Sequence, residues 1–525
     1  MSGEPPVGPD RGRKAGLVLG AWLLLGVVST LPYLQAQQYP PSGGSFTGAL
    51  FYPDDFYQYA SFAEQATRGA FLFSNKFDPE PHGPAFVNLE WWAAGRLGAI
   101  VDGWPLVGFP VLRIAAIGAL LLAIARLLGA AGLEGAHLGW GMALVATGGG
   151  LGWLRYFQGA QGWRIPDVLM GLYPWHQTLS NVHFVVGTAL LLWTIHLHLL
   201  WRQGRAPRWA WLAVAWILGL SRPYDLAALG PVVIGLAAWD AVETRQWKPA
   251  VRAASDLVWL APLFAYYAFM VGGHPSFGGW GAQSGDLSPP RREFLMALGP
   301  AAVLILAGRR IGPATREATD VRRALILWCG ALTTLLLVWT APMAKQCLGL
   351  GAALLLWAAV VTPARRLAVA VFALSPTSAV VLWLAFHPGP SSFVPADSLA
   401  VTTMLHRACA PGQVTIAPTD LSLAVAALTP CHVALGHRLL TPRFKEAVVE
   451  GNRFYDAATP LEWRLMYLDR SNAEFVALPA GHGDWLGPSP PFERILARPS
   501  LELWQRSRPA FALAWKPETR GAHLP

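Results

Sequence analysis

Two aspartates stand side by side at positions 54 and 55, in the segment YPDDFYQYASFAEQATRG (52–69). An ionised carboxylate can take the proton of an attacking hydroxyl as a general base. A carboxylate pair can instead offer oxygen ligands to magnesium or manganese. The same residues also have a plainer use. Pro53 suits the first helical position, acids in the first turn oppose the helix dipole, and Arg68 with Gly69 marks the far end. The pattern therefore predicts a helix whose N-terminus Asp54 and Asp55 stabilise, and the two uses are compatible.

Chemistry at these acids depends on what brings other groups to them. Of the 525 residues, 54% are hydrophobic and only 14% charged, against about one quarter charged in an average soluble domain. The apolar residues come in long blocks, which predicts a polytopic membrane protein. The net charge of +9 does not point to nucleic acid, because the arginines fall between apolar blocks and no basic, aromatic-rich stretch accompanies them. Behind Arg11, Arg13 and Lys14, an apolar run from Ala15 to Leu34 is too long for a signal peptide and lacks a small-residue cleavage site, so it reads as an uncleaved first span.

Eleven spans fit the hydropathy: 15–35, 106–128, 136–154, 178–201, 207–222, 225–241, 254–272, 293–308, 324–340, 344–361 and 367–386. With the N-terminus in the cytoplasm, Arg202, Arg205 and Arg208, then Arg245, Lys248 and Arg252, then Arg309 to Arg323, then Arg365 and Arg366 all fall inside, as the charge rule requires. Arg291 and Arg292 are the exception. Residues 1–14 form a cytoplasmic tail, 15–387 the membrane domain with a first outside loop at 36–105, and 388–525 an extracytoplasmic domain. The segment Ala85–Val101, which holds Glu90 and Arg96, reads as a helix lying at the interface. In the last domain QVTIAP (413–418) and AEFVALP (473–479) read as strands, and 419–428, 442–456 and 460–470 as helices. Cys409 and Cys431 can pair there if the domain is outside; buried free thiols are the alternative. No CxxC or HExxH spacing suggests a zinc site.

This topology gathers further groups outside. Loop 152–184 carries Arg155, Arg164, Asp167, Tyr173, His176 and His183; the SRPYD turn carries Arg222, Tyr224 and Asp225; the APMAKQ turn carries Lys345 and Gln346. Ionisable groups at membrane depth are costly and usually mark a site or pathway. Each has a structural reading as well: Arg222 paired with Asp225, Lys345 at lipid headgroups, and the histidines as satisfied polar residues. One chemistry uses outside acids, outside cations and a lipid-facing cleft together, namely sugar transfer from a polyprenyl-phosphate carrier. A carboxylate would take the acceptor's proton, and Arg222 or Lys345 would hold the phosphate as the sugar leaves.

The acidic pair in the first outside loop, the many spans and the outside C-terminal domain resemble the GT-C superfamily of integral-membrane glycosyltransferases, which includes protein O-mannosyltransferases and aminoarabinose transferases. PDDFYQYASFAEQA, NKFDPEPHGPAFVN (75–88), WWAAGRLGAI (91–100), GGLGWL (149–154), PYDLAALGPV (223–232), KQCLGLGAALLL (345–356) and residues 441–479 are similar to a group of bacterial GT-C-like membrane proteins. The resemblance implies an all-α, GT-C-like membrane domain of about 11 transmembrane helices with a small α/β domain outside. It also implies inverting transfer from a lipid-phosphate sugar, at the plasma membrane, to an acceptor that the sequence does not name. Asp54 and Asp55 would be base or metal ligands, with magnesium or manganese as the only cofactors in view, and Lys345 a phosphate contact. Lysine there keeps the charge of the arginine common among relatives but loses its fork. His82, in PEPHG, and Arg222 match by context. His82, Tyr57, Tyr173, His176, Tyr224 and Asp225 are the candidate substrate contacts. Two other functions compete: a non-catalytic binder of lipid-linked sugars, and a transporter, against which the lack of an internal repeat argues.

Overall fold

The computed structural model describes residues 9–41, 43–101, 106–160, 165–169, 171–279, 290–308, 315–338, 349–487 and 491–507. The chain divides into two compact units. The larger comprises Met1–Asn75, His82–Pro395 and Arg438–Leu440; the smaller comprises Lys76–Pro81, Ala396–His437 and Thr441–Pro525.

The larger unit is helical. Its elements are α1 (Pro9–Gln38), α2 (Pro53–Thr67), α3 (Leu89–Val101), α4 (Gly108–Ala130), α5 (Gly135–Thr147), the short α6 (Gly152–Phe157), α7 (Pro166–Leu169) and α8 (Pro174–Leu179), α9 (Val182–Arg202) and α10 (Arg208–Ser221). They continue with α11 (Leu226–Thr244), α12 (Lys248–Val258), α13 (Ala261–Gly272), α14 (Arg291–Ala307), α15 (Arg316–Val338), α16 (Leu350–Val361), α17 (Ala364–Leu374) and α18 (Pro376–Phe386). One two-stranded pairing, β1 (Ser45–Phe46) with β2 (Phe393–Val394), is antiparallel.

Five described helical stretches are long and apolar enough to cross a membrane: Gly12–Gln38, Gly108–Ala130, Val182–Arg202, Pro223–Thr244 and Ala364–Phe386. The α12–α13 pair, bent by 44°, meets the same test only when its two helices are taken together. The remaining segments of the eleven-span layout include helices such as α5, α10 and α16, of 13, 14 and 12 residues. At about 1.5 Å per residue these fall short of a hydrocarbon core of about 30 Å. α3, with 13 residues, is too short to cross as well. Proline explains one break: Pro376 has no N–H to continue α17 into α18.

Lipid is the environment that the surface of α1 requires, since Leu23, Leu24, Val27 and Leu34 are each more than half exposed. Its other side is fastened by Arg113 of α4, a buried guanidinium. Arg113 donates to the Ser29 Oγ and Thr178 carbonyl at 2.9 Å and to the Thr30 Oγ1 at 3.0 Å, and lies over the Tyr33 ring. Every partner is a fixed oxygen, so this buried charge acts as a rivet between α1, α4 and α8.

The smaller unit holds a five-stranded sheet in the order β4-β3-β5-β7-β6, with β3 (Val414–Ile416), β4 (His432–Val433), β5 (Ala473–Pro479), β6 (Phe492–Ala497) and β7 (Leu501–Arg506). β3 runs parallel to β4 and β5, and β7 pairs antiparallel with β5 and β6. Helices α19 (Ala396–Ala408), α20 (Thr419–Leu428), α21 (Phe444–Phe454) and α22 (Leu461–Arg470) complete it. Val414, Ile416, Phe454, Leu468, Val476 and Phe492 meet in its core. Cys409 and Cys431 are disulfide-bonded. Residues 76–81, contributed by the first long loop, belong to this unit: the Val433 N–H donates to the Lys76 carbonyl at 2.8 Å, and Phe77 packs where a Cβ on Gly436 would lie 2.7 Å from its ring.

Candidate active site

The quoted segment folds as its punctuation predicts. Pro53 opens α2, Asp54 and Asp55 occupy its first turn, and Gly69 at φ 96° follows its end. Tyr52, immediately before, is left-handed at φ 51° and ψ 55°. For a residue with a Cβ this costs about 1–2 kcal/mol, and such strain gathers at functional sites. The turn is braced by Asn181, whose Nδ2 donates to the Tyr52 carbonyl at 3.3 Å. From Phe56 onward α2 is buried, so Asp54 is exposed and Asp55 half-buried where the helix emerges.

α3 lies close beside α2 because Gly95 allows it: a Cβ there would meet the Ala63 carbonyl at 2.3 Å. Asn88 starts α3, accepting the Trp91 N–H at 3.1 Å while its Nδ2 donates to the Ser221 carbonyl at 2.7 Å. One side chain thus fixes α3 against the end of α10. Trp91 stacks on Tyr59 at 4.8 Å and on Phe62 at 5.1 Å, forming an aromatic wall.

Beside that wall lie two buried pairs of polar groups. Glu90 Oε2 is 3.1 Å from His183 Nδ1. Arg222 Nε is 3.5 Å from Asp225 Oδ2, an ion pair without a hydrogen bond. Arg222 is wholly buried; Nη1 donates to the Phe184 carbonyl at 3.3 Å, but Nε and Nη2 have no hydrogen-bond partner, and neither does Asp225 Oδ2. A buried guanidinium with two unused donor groups is expensive, and an anion would offset that cost. Gly187 of α9 makes room for it, since a Cβ there would sit 2.3 Å from the Arg222 Cδ.

Tyr59 ties the acids to these pairs. Burial holds its phenol well above the ordinary range; the charges of Asp55 and Glu90 push it further up and Arg222 pulls it back. Burial and then Asp55 likewise raise the Tyr52 phenol. Asp55, Tyr59, Glu90, Arg222 and Tyr224 therefore share one electrostatic neighbourhood, with His183 and Asp225 attached through their pairs.

Other residues singled out in the sequence serve the fold. The Tyr173 hydroxyl donates to the Ala297 carbonyl at 2.7 Å. His176 Nδ1 accepts the Gly171 N–H at 2.6 Å, and burial lowers its pKa to about 3, so it stays neutral. His82 Nε2 accepts the Asn75 N–H at 3.0 Å. Asp167 accepts the N–H groups of Gly150 at 3.1 Å and Gly152 at 2.8 Å, while burial outweighs them and raises its pKa to about 6. Arg155 pairs with Glu293 at 3.0 Å. Tyr57 is buried in α2. Lys345, Gln346 and Arg164 lie outside the described residues.

Glu90, Tyr59 and Asn88 are members of the cluster that spacing did not select. An acid in the first turn of an otherwise apolar helix was the available signal for Glu90. Among the described residues no three of His, Cys, Asp and Glu gather as a metal-binding group.

No protein-family profile matches the chain, and no curated protein sequence does. Solved structures do match. ArnT from Cupriavidus metallidurans, bound to undecaprenyl phosphate, superposes over 93% of this chain and 97% of its own, with TM-score 0.51 and 14% identity. The Archaeoglobus fulgidus oligosaccharyltransferase covers 88% of this chain, and this chain 69% of it, at TM-score 0.53 and 12% identity. The mycobacterial arabinofuranosyltransferase AftD gives TM-score 0.52 and 15% identity over 93% of this chain and 40% of its own. This is the GT-C fold. The fold agrees with the long apolar helices in describing a multi-pass membrane protein. Identity of 12–15% makes the likeness one of architecture, so residue roles rest on the site's own geometry.

Proposed function

We propose that the protein is a glycosyltransferase of the plasma membrane, moving a sugar from a polyprenyl-phosphate donor to an acceptor on the extracytoplasmic side. Arg222 carries the proposal: a buried guanidinium with two unused nitrogens, in the electrostatic neighbourhood of Asp55. Support comes also from the GT-C fold, in which ArnT has been seen with undecaprenyl phosphate.

In this reading the donor phosphate meets Nε and Nη2 of Arg222, and Lys345 adds a second cation. Asp55, or Asp54, takes the acceptor hydroxyl's proton as that oxygen attacks the anomeric carbon. The bond from that carbon to the phosphate oxygen breaks, its electron pair stays on the phosphate, and the configuration inverts. The guanidinium interacts more strongly with the departing phosphate than with the donor, which is how a fixed charge lowers a barrier. Magnesium held by Asp54 and Asp55 would supply further charge at the phosphate. Glu90 and His183 border the neighbourhood and would orient the sugar.

The test is transfer or release of radiolabelled sugar from a panel of polyprenyl-phosphate donors by purified protein in lipid, with and without magnesium or manganese. Activity that vanishes in a folded Asp54→Asn/Asp55→Asn protein supports the reading. Donor binding without turnover in wild type, acceptor present, would make the protein a binder of lipid-linked sugars instead.

A further inference from the structure

A second charged cavity lies at the other ends of the same helices. It has a volume of about 1200 Å³ and is lined by the last turns of α9 and α11 and the first turns of α12 and α15. From His183 to Arg202 along α9 is about 29 Å at 1.5 Å per residue, close to the thickness of a hydrocarbon core of about 30 Å. The cavity therefore opens at the membrane surface opposite the candidate active site.

Its acids are already engaged. Arg202 Nη2 donates to both Asp240 oxygens, at 2.8 and 2.7 Å, and stands 3.6 Å from Asp320. Glu243 pairs with Arg323. Five lysine and arginine side chains line the cavity against three carboxylates; among the described residues Lys248 and Arg316 form no ion pair, and Arg252 has the Trp201 ring 4.7 Å from its guanidinium carbon and Asp256 within electrostatic reach. Buried His198 also lines the cavity with Nδ1 unpartnered. The uncompensated charge is thus positive, which selects an anion.

The remaining lining selects the kind of anion. Trp201, Val233, Ala237 and Val251 give the cavity an apolar wall. Trp247 is 81% exposed and Val251 67%, beside the cations of an amphipathic helix, α12. Exposed tryptophan and valine next to lysine and arginine is the composition of a helix lying in the headgroup layer. Inorganic phosphate would need no such wall.

We propose that this cavity seats the phosphate-bearing headgroup of an anionic membrane phospholipid, with Lys248, Arg252 and Arg316 at the phosphate and the apolar wall along the upper acyl chains. The proposal is independent of sugar transfer. The test uses full-length protein reconstituted in equal phosphatidylglycerol and phosphatidylcholine, then extracted, with retained lipid counted by native mass spectrometry. Wild type is expected to retain phosphatidylglycerol about tenfold over phosphatidylcholine, and K248Q/R252Q/R316Q to lose that preference. These side chains form no ion pairs that hold the fold together, and a melting curve checks that the variant folds. Equal retention of both lipids by wild type, or a preference that survives the triple substitution, overturns the proposal. Displacement of the lipid by millimolar inorganic phosphate, with the same dependence on the three cations, overturns it in favour of a soluble-phosphate site.

Discussion

Near each end of α9 an arginine meets an aspartate, Arg202 on α9 itself and Arg222 just after α10, and the pairs differ in how well they are satisfied. Arg202 gives two hydrogen bonds to Asp240, has Asp320 nearby and leaves one nitrogen, Nη1, without a partner. Arg222 makes one hydrogen bond of 3.3 Å to a carbonyl, reaches Asp225 only at 3.5 Å, and leaves Nε and Nη2 unused. Arginine at the first end ties α9 to α11 and α15. At the second end it is held in place by a glycine niche yet kept hungry for an anion. Satisfaction, not burial, distinguishes a structural arginine from one available for binding.

The largest test of that contrast lies at the acids beside the unsatisfied end. The Asp54→Asn/Asp55→Asn protein should lose about 10²–10⁴-fold in transfer rate, the range for removing a general base, with its melting temperature nearly unchanged. A loss of helix content to match would reduce the acids to their capping role.

Next in size is the arginine comparison itself. Arg222→Lys keeps the charge but not the fork, and turnover is expected to fall about 10²-fold, as when one transition-state donor is removed. Arg202→Lys should lower stability by about 1–3 kcal/mol and leave turnover per folded molecule as it was. Equal kinetic effects would erase the distinction.

Gly187→Ala sharpens it from a third side, because the new methyl must displace the Arg222 side chain. Stability should drop about 1–3 kcal/mol from overpacking, and turnover should drop further than the loss of folded protein explains.

The last test leaves transfer aside and concerns the stability that Asp167 contributes. Asp167 has a folded pKa of about 6, above its ordinary 3.8, so the folded state holds the proton more tightly. Its contribution is complete below pH 3.8 and is lost as pH rises through about 6, a change of about 3 kcal/mol. Melting temperature should therefore fall between about pH 4 and 6 in wild type, and Asp167→Asn should flatten that slope. An unchanged slope in the variant would assign the pH dependence elsewhere.

Local features were legible in the sequence and distant ones were not. α2 lies where Pro53, the acids and Gly69 predict, α20 and α22 match their expected ranges within a residue, and β5 spans AEFVALP. Cys409–Cys431 formed as the outside reading allowed. In each case neighbours in sequence decide the outcome. The site was legible only in part: Asp55, Arg222, Tyr224 and Asp225 come together, while the Tyr173 hydroxyl, His176 Nδ1 and His82 Nε2 each bond to backbone. The Glu90–His183 pair, the Gly187 niche and the entry of residues 76–81 into the smaller unit join positions far apart in the chain. Periodicity carries no information about such pairings, since they depend on which helices become neighbours. β6 and β7 escaped for a related reason: their half-exposed faces lack the clear alternation that marks a strand.

The central claim is that Arg222 is the phosphate anchor, and it is tested most directly by binding of undecaprenyl phosphate to protein in lipid nanodiscs. Wild type, Arg222→Lys and Arg202→Lys would be measured side by side, each corrected for its folded fraction. The account predicts affinity about tenfold or more weaker in Arg222→Lys, through loss of the paired donors, and unchanged in Arg202→Lys. Equal affinity in all three, or a loss confined to Arg202→Lys, would contradict it.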